Sequence, residues 1–301
     1  MTEVARRPIT AGVVLTAVGL SAMWGGNVVG IKITLETLPP VWCAFWRMLI
    51  GLPTLWIWAR VGGVDLMPKP GEGRPLLLLG GIFGFQIMLL NWSVQLTSAA
   101  YSAVLVNAAP ILTNVIAHFF VADDRLSKLR VLGLALAFGG VSAVLLGKPD
   151  ERLATAPLLG NALALATALA IASRMVYTQR LVQGINSTRT IFWQVVFALP
   201  LFLIVALLTE EPLAGPITVR TAAAMAYCSF GVVGIAFIVW VRLLEKYPPG
   251  LLSVFVFPMP LFGVLFSALI FRESISPSLA AGVALVAIGI LIVTLEKRVR
   301  A

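Results

Sequence analysis

The sequence predicts an all-α membrane protein. Its ten transmembrane helices form two inverted five-helix repeats, residues 1–150 and 151–301, with both termini on the cytoplasmic side. Three observations carry this prediction. Of 301 residues, 59% are apolar and 12% charged, whereas soluble domains hold roughly 45–50% and 25%. A soluble fold of this length could not cover so much apolar surface. Ten apolar runs approach the ~20 residues that cross a hydrocarbon core. Finally, the string FWRMLIGLP of Phe45–Pro53 recurs as FWQVVFALP at Phe192–Pro200, an offset of 147.

In chain order the first span, 10–31, follows Arg6 and Arg7 like a secretory leader. It is too long for a leader's apolar core and runs into nine more spans, so it reads as retained. It carries Trp24, Gly25, Gly26, Asn27 and Gly30. Gly26 and Gly30 make a small-xxx-small pair that admits a close neighbour, and Asn27 either bonds across that crossing or touches substrate. The second span, 39–59, begins at Pro39, where a missing N–H costs little, and contains Arg47 with no embedded acid nearby in sequence. That arginine either pairs with carbonyls or receives a carboxylate.

The third and fourth spans, 74–96 and 98–120, have too short a connection to be anything but an antiparallel hairpin. They offer Gln86, Asn91, Trp92, Tyr101, Ser102, Asn107 and Asn114. Pro110 frees a backbone carbonyl near residue 106. With Asn107 beside it, that carbonyl is a candidate ammonium site, or else a kink that Asn107 satisfies. Tyr101 and Trp92 lie toward the outer end and are candidate contacts or belt aromatics. His118, the one neutral-pH titrating side chain within a span, reads as a helix-end residue before a proton relay.

The fifth span, 126–147, follows Asp123-Asp124, an acidic pair next to RLSKLR that lacks the second acidic cluster a metal–phosphate site needs. The sixth, 157–179, opens on Pro157 and holds Ser173, Arg174, Tyr177 and Gln179. Arg174 is expected to snorkel or pair structurally before it binds a carboxylate. The seventh and eighth, 190–209 and 217–243, add Tyr227, Ser229 and Trp240. A very short connection leads to the ninth, 249–271, with Ser253 and the Pro258–Met259–Pro260 break, and the tenth runs 276–295.

Ten spans return the chain to its starting side. With the N-terminus inside, the inner segments hold fifteen Lys and Arg. The outer ones hold five: Lys32, Lys148, Arg152, Arg220 and Arg272. That bias orients the chain, so the net charge of +9 is mostly a topology signal and not a nucleic-acid footprint. Cys43 and Cys228 fall inside separate spans and read as small buried hydrophobes. With one histidine they cannot build a typical zinc site, and no cofactor is expected.

The repeat extends beyond one string. Gly84 aligns with Gly234 and Pro110 with Pro260 at an offset of 150. Asp124-Arg-Leu-Ser aligns with Glu273-Ser-Ile-Ser, Gly133 with Gly282 and Gly140 with Gly289, at 149. Five helices per unit is odd, so the second unit enters from the opposite side. Two such halves supply inward-open and outward-open states of similar energy, which a carrier needs and an enzyme does not.

The helix-two arginine in FWRML, the prolines in NAAPIL and FPMPLF, and an acid before helices 5 and 10 complete a pattern over nearly the whole chain. It resembles the drug/metabolite transporter superfamily, the ten-helix EamA-type family in particular, and is similar to the YddG-type exporters of aromatic and neutral amino acids. The resemblance implies a central cavity lined mainly by helices 1, 3, 4, 6, 8 and 9, with helices 5 and 10 as scaffold. The second repeat's counterpart of Arg47 is Gln194, so a role for that arginine is not duplicated.

No Asp or Glu lies in the middle of any span, which leaves the proton-binding glutamate of the small multidrug relatives without an equivalent. The expected function is export of amino acids or related metabolites by alternating access, with a zwitterionic substrate and the lipid bilayer as partners and the inner membrane as location. A transporter of another metabolite class and an intramembrane lipid-modifying enzyme are the alternatives. Nucleophile-elbow, phosphate-loop and metal-helix motifs are missing. A channel would need a polar-lined pore.

Overall fold

A computed structural model describes residues 10–120, 128–213, 215–246 and 258–300. The described residues are mostly helical, with longer connections at 62–72, 147–156 and 210–218. In order they form α1 (Ala11–Thr34), α2 (Pro40–Val61), α3 (Gly73–Leu96), α4 (Ala99–Val106), α5 (Ala109–Phe120), α6 (Lys128–Leu146), α7 (Pro157–Leu181) and α8 (Ser187–Thr209). Then come α9 (Val219–Ala226), a π-helical segment (Tyr227–Ala236), α10 (Phe237–Lys246), α11 (Met259–Phe271) and α12 (Pro277–Arg300). Six helices are long and apolar enough to cross a membrane, and four shorter apolar stretches, 99–113, 131–146, 259–271 and 277–292, fall on the other expected spans. His118's side chain, Asp123, Asp124 and Ser253 lie outside the described residues.

These helices are apolar all round, as a helix surrounded by protein on one face and lipid on the other must be. Leu78, Ile204, Leu207, Leu208 and Leu169 are at least half exposed on the outer surface, while Leu76, Leu79, Phe202 and Ala206 on the same helices are buried. That is the inside–outside pattern of a protein whose solvent is hydrocarbon.

Two interruptions depart from simple spans. The fourth span breaks into α4 and α5 at Asn107–Ala108, three residues before Pro110, whose ring excludes a continuous helix. The eighth widens into ten residues of π-helix. Such segments re-aim side chains relative to an α-helix and recur at functional sites.

The most extensive helix pair is α6 with α12. Glycines let the backbones touch there: a Cβ on Gly140 would stand 2.7 Å from the Gly282 carbonyl, and one on Gly289 2.5 Å from that of Gly133. Elsewhere α1 packs on α11 and the π segment, α2 on the π segment and α8, and α3 on α7 and α8.

Charged side chains tie the helix ends. Lys32, at the end of α1, donates to the carbonyls of Val94 (2.8 Å), Gln95 (3.1 Å), Thr97 (2.9 Å) and Leu153 (2.7 Å). Three of these belong to the C-terminus of α3, whose orphan carbonyls favour a cation. Glu210, just past α8, accepts from the N–H groups of Val41 (2.9 Å) and Trp42 (3.1 Å) and so caps α2. At the opposite face Glu72 accepts both contacts of Arg189 Nη1 at 2.9 Å, while Arg189 also donates to the Asp65 carbonyl. The Lys69 N–H and the Arg189 guanidinium together hold the Glu72 carboxyl below its ordinary range.

Candidate functional site

Polar side chains within apolar helices gather into two clusters, each around one arginine. The first lies where α1, α2 and the π segment meet. Arg47, about two turns into α2, is 2% exposed. Its guanidinium lies near the Cys228 side chain, and its Nε and Nη1 are buried with no hydrogen-bond partner. The Ser229 hydroxyl on the same π segment is likewise buried and unpartnered. Gly51 brings α2 this close, since a Cβ there would stand 3.0 Å from the Ser229 carbonyl.

On the α1 side, a Cβ on Gly26 would meet the Tyr227 hydroxyl at 2.7 Å, and one on Gly30 would meet Cys228 Sγ at 2.6 Å. The expected small-xxx-small pair therefore admits the π segment. Tyr227 donates to the Met23 carbonyl at 2.6 Å. Trp24 sets its ring edge-on to Trp240 at 5.3 Å and to Phe237 at 6.5 Å. Asn27 is half-buried between these groups, and its carbonyl accepts Cys228 Sγ at 3.9 Å. Asn27 and Tyr227 thus border the Cys228 end of this cluster, while the Trp24–Trp240 pair stands farther along α1 and α10.

The second cluster lies among α3, α7 and α8. Arg174 donates from Nε to Gln86 Oε1 at 2.6 Å and from Nη1 to Gln194 Oε1 at 3.4 Å, with its guanidinium 5.5 Å from the centre of the Phe83 ring. Neutral amide oxygens partner it inside the helix bundle, so it does not snorkel. Its partners are amides and not an acid. The depth of a residue along its own helix gave no sign of these partners, which come from two other helices.

The remaining candidates disperse. Asn107 donates to the Ala103 carbonyl at 2.6 Å and so satisfies the backbone at the break, which is the structural alternative for that position. Tyr101 is buried, not set in a lipid-facing belt, because all of α4 is enclosed. A Cβ on Gly147 would stand 2.6 Å from its hydroxyl, which places Tyr101 against the α6 end. Ser173 is exposed on the outer flank of α7, and Tyr177 donates to the Pro75 carbonyl at 3.3 Å. Gln194 is the residue that sequence reasoning underused. Its alignment with Arg47 marked it, but only the fold shows it facing Arg174.

Chemically, the two guanidinium groups dominate. Among the described residues no carboxylate lies within ion-pair distance of Arg47 or Arg174, and no cluster of three His, Cys, Asp or Glu side chains could hold a metal. An arginine stays protonated even when buried. A cation without an acid favours an anionic visitor, and Arg47 has free N–H groups with which to bind one.

Comparison with known proteins fits a membrane carrier. The profile described as EamA-like transporter family matches residues 11–146 and again 158–295. The chain is 27% identical to the "Probable amino-acid metabolite efflux pump" of Salmonella typhimurium, over 92% of this chain and 93% of that one. It is 26% identical to the "Uncharacterized transporter YetK" of Bacillus subtilis, over 95% and 88%. A solved crystal structure covers 97% of this chain and 100% of its own, with a TM-score of 0.69 and 20% identity, and shares the fold.

Proposed function

The chain belongs to the EamA-like transporter family, and on that premise we propose that it exports small carboxylate-bearing metabolites, aromatic and neutral amino acids foremost. Transport proceeds by alternating access between two inverted five-helix units, 1–150 and 151–301, in the cytoplasmic membrane with both termini inside. The observation that carries this reading is Arg47, a buried guanidinium with two unpartnered nitrogens, Nε and Nη1, and no acid. Left alone such a cation is costly in a membrane, and a substrate carboxylate supplies what it lacks. Tyr227, next to Cys228, offers aromatic surface for an apolar side chain, with the Trp24–Trp240 pair farther along α1 and α10.

The helix contacts support the division into units. Exchanging the first five spans for the second five turns α1–π segment into α7–α3, α2–π segment into α8–α3, and α1–α11 into α7 with α4 and α5, and all of these pairs pack. The name of the Salmonella relative supports the substrate class.

Purified protein in liposomes is expected to exchange labelled phenylalanine, tryptophan or threonine without added energy. Absence of flux across a broad metabolite panel would sink the reading. Flux of cationic amines alone would remove the carboxylate from it.

A further inference from the structure

A wide cavity lies on the outer flank of α3, α7 and α8, the helices that enclose Arg174, with Ser173 but neither Arg174 nor Arg47 among its lining residues. It is a groove of about 970 Å³, open along one side. Leu77, Leu78, Phe85 and Leu169 form its walls. Leu78 and Phe85 are 55% and 54% exposed, so the groove faces the surroundings of the helix bundle and not its interior. Gly81 is its floor, with no atom within 4 Å of where a Cβ would stand.

The groove has a polar end. Arg74, exposed at the start of α3, lines it, and the Tyr177–Pro75 hydrogen bond fixes the last turns of α7 at that same end, where Arg180 also lies. No acid lines it among the described residues. From Arg74 to Leu89, the last lining residue of α3, an α-helix rises about 22 Å, less than a ~30 Å hydrocarbon core. The groove is therefore apolar along its length except for the Ser173 hydroxyl, and cationic at the interface.

We propose that this groove is a binding site for an anionic phospholipid, with an acyl chain laid over Gly81 between Leu78 and Leu169 and the phosphate on Arg74. An acyl chain needs no hydrogen-bond partners, and the walls offer almost none. The headgroup needs a donor fork at interface depth, which an arginine supplies bidentately. A basic residue beside an interhelical groove on the leaflet rich in anionic lipid is the electrostatic arrangement that selects such headgroups.

The test is native mass spectrometry of the full-length protein in mild detergent, given equal phosphatidylglycerol and phosphatidylethanolamine. The wild type is expected to retain phosphatidylglycerol preferentially, and Arg74→Gln to lower that retention about five-fold, the share of one cation near an anionic surface. Gly81→Leu, which fills the floor, is expected to lower retention of both lipids, and Arg60→Gln, an exposed cation at the same face, to change nothing. Circular dichroism confirms that each variant folds; should Gly81→Leu fail, the Arg74→Gln and Arg60→Gln pair decides alone. Equal retention of both headgroups by the wild type, or equal losses for Arg74→Gln and Arg60→Gln, would overturn the site.

Discussion

Arg47 and Arg174 occupy comparable flanks of the molecule and differ in one respect. Arg174 is closed by the amide oxygens of Gln86 and Gln194. Arg47 keeps two buried nitrogens, Nε and Nη1, open. In the sequence repeat Gln194 stands where Arg47 stands, so the positive charge has moved from the second helix of one unit to the first helix of the other. A matched pair would bind anions on both sides. The mismatch leaves one arginine finished by its neighbours and the other waiting for a partner from outside.

The largest expected effect falls on the open arginine. Arg47→Ala should cut amino-acid flux in liposomes by about 10- to 100-fold, the scale of a lost charge-assisted hydrogen-bond pair. The same variant should leave the melting temperature unchanged or raise it, because it removes an uncompensated buried charge. A fall in stability that tracks the fall in flux would make Arg47 structural and erase the contrast.

Gln194→Arg restores the repeat and places two guanidiniums together in a low-dielectric interior. It should destabilise the protein by several kcal/mol in thermal melts, unless paired with Arg174→Gln, which is expected to rescue it. Arg174→Leu alone leaves two amide oxygens unanswered and should cost about 1–3 kcal/mol, with flux reduced only in proportion to folded protein. Flux lost from a fully folded Arg174→Leu would instead give this arginine a role in binding.

The smallest effect concerns pH. Glu72's carboxyl titrates below its ordinary value of 4.5, so its contribution to stability is complete above that value and is lost as pH falls through the lowered one. Melting curves of wild type and Glu72→Gln should lie apart at neutral pH and converge in strong acid. Parallel curves at every pH would show that the Arg189 clasp contributes nothing.

Much of this architecture is legible in the residues. Runs of apolar sequence mark the helices because hydrocarbon on one side and protein on the other leave no room for a polar face. Gly26 and Gly30 announce a close crossing on α1, and Pro110 announces the break after α4, whereas the glycines of α6 and α12 read only as repeat markers. The π segment is not legible, since Tyr227–Ala236 is as apolar and glycine-bearing as its α-helical neighbours. The pairing of Arg174 with Gln86 escaped for a related reason. Their separation of 88 residues is closed only by the packing of α3 on α7. Ser173 and Tyr101 show the same limit, because a polar residue in a span must face something, and sequence does not say what.

Lys32 joins the end of α1 to the end of α3. An ammonium has three N–H bonds, yet four carbonyls lie within reach of its nitrogen. The carbonyls compete for protons, so the ammonium can turn among them and keep three satisfied while α1 and α3 shift slightly. The joint is a swivel more than a weld. It lets two helices pivot at one face of the membrane without ever exposing a bare charge.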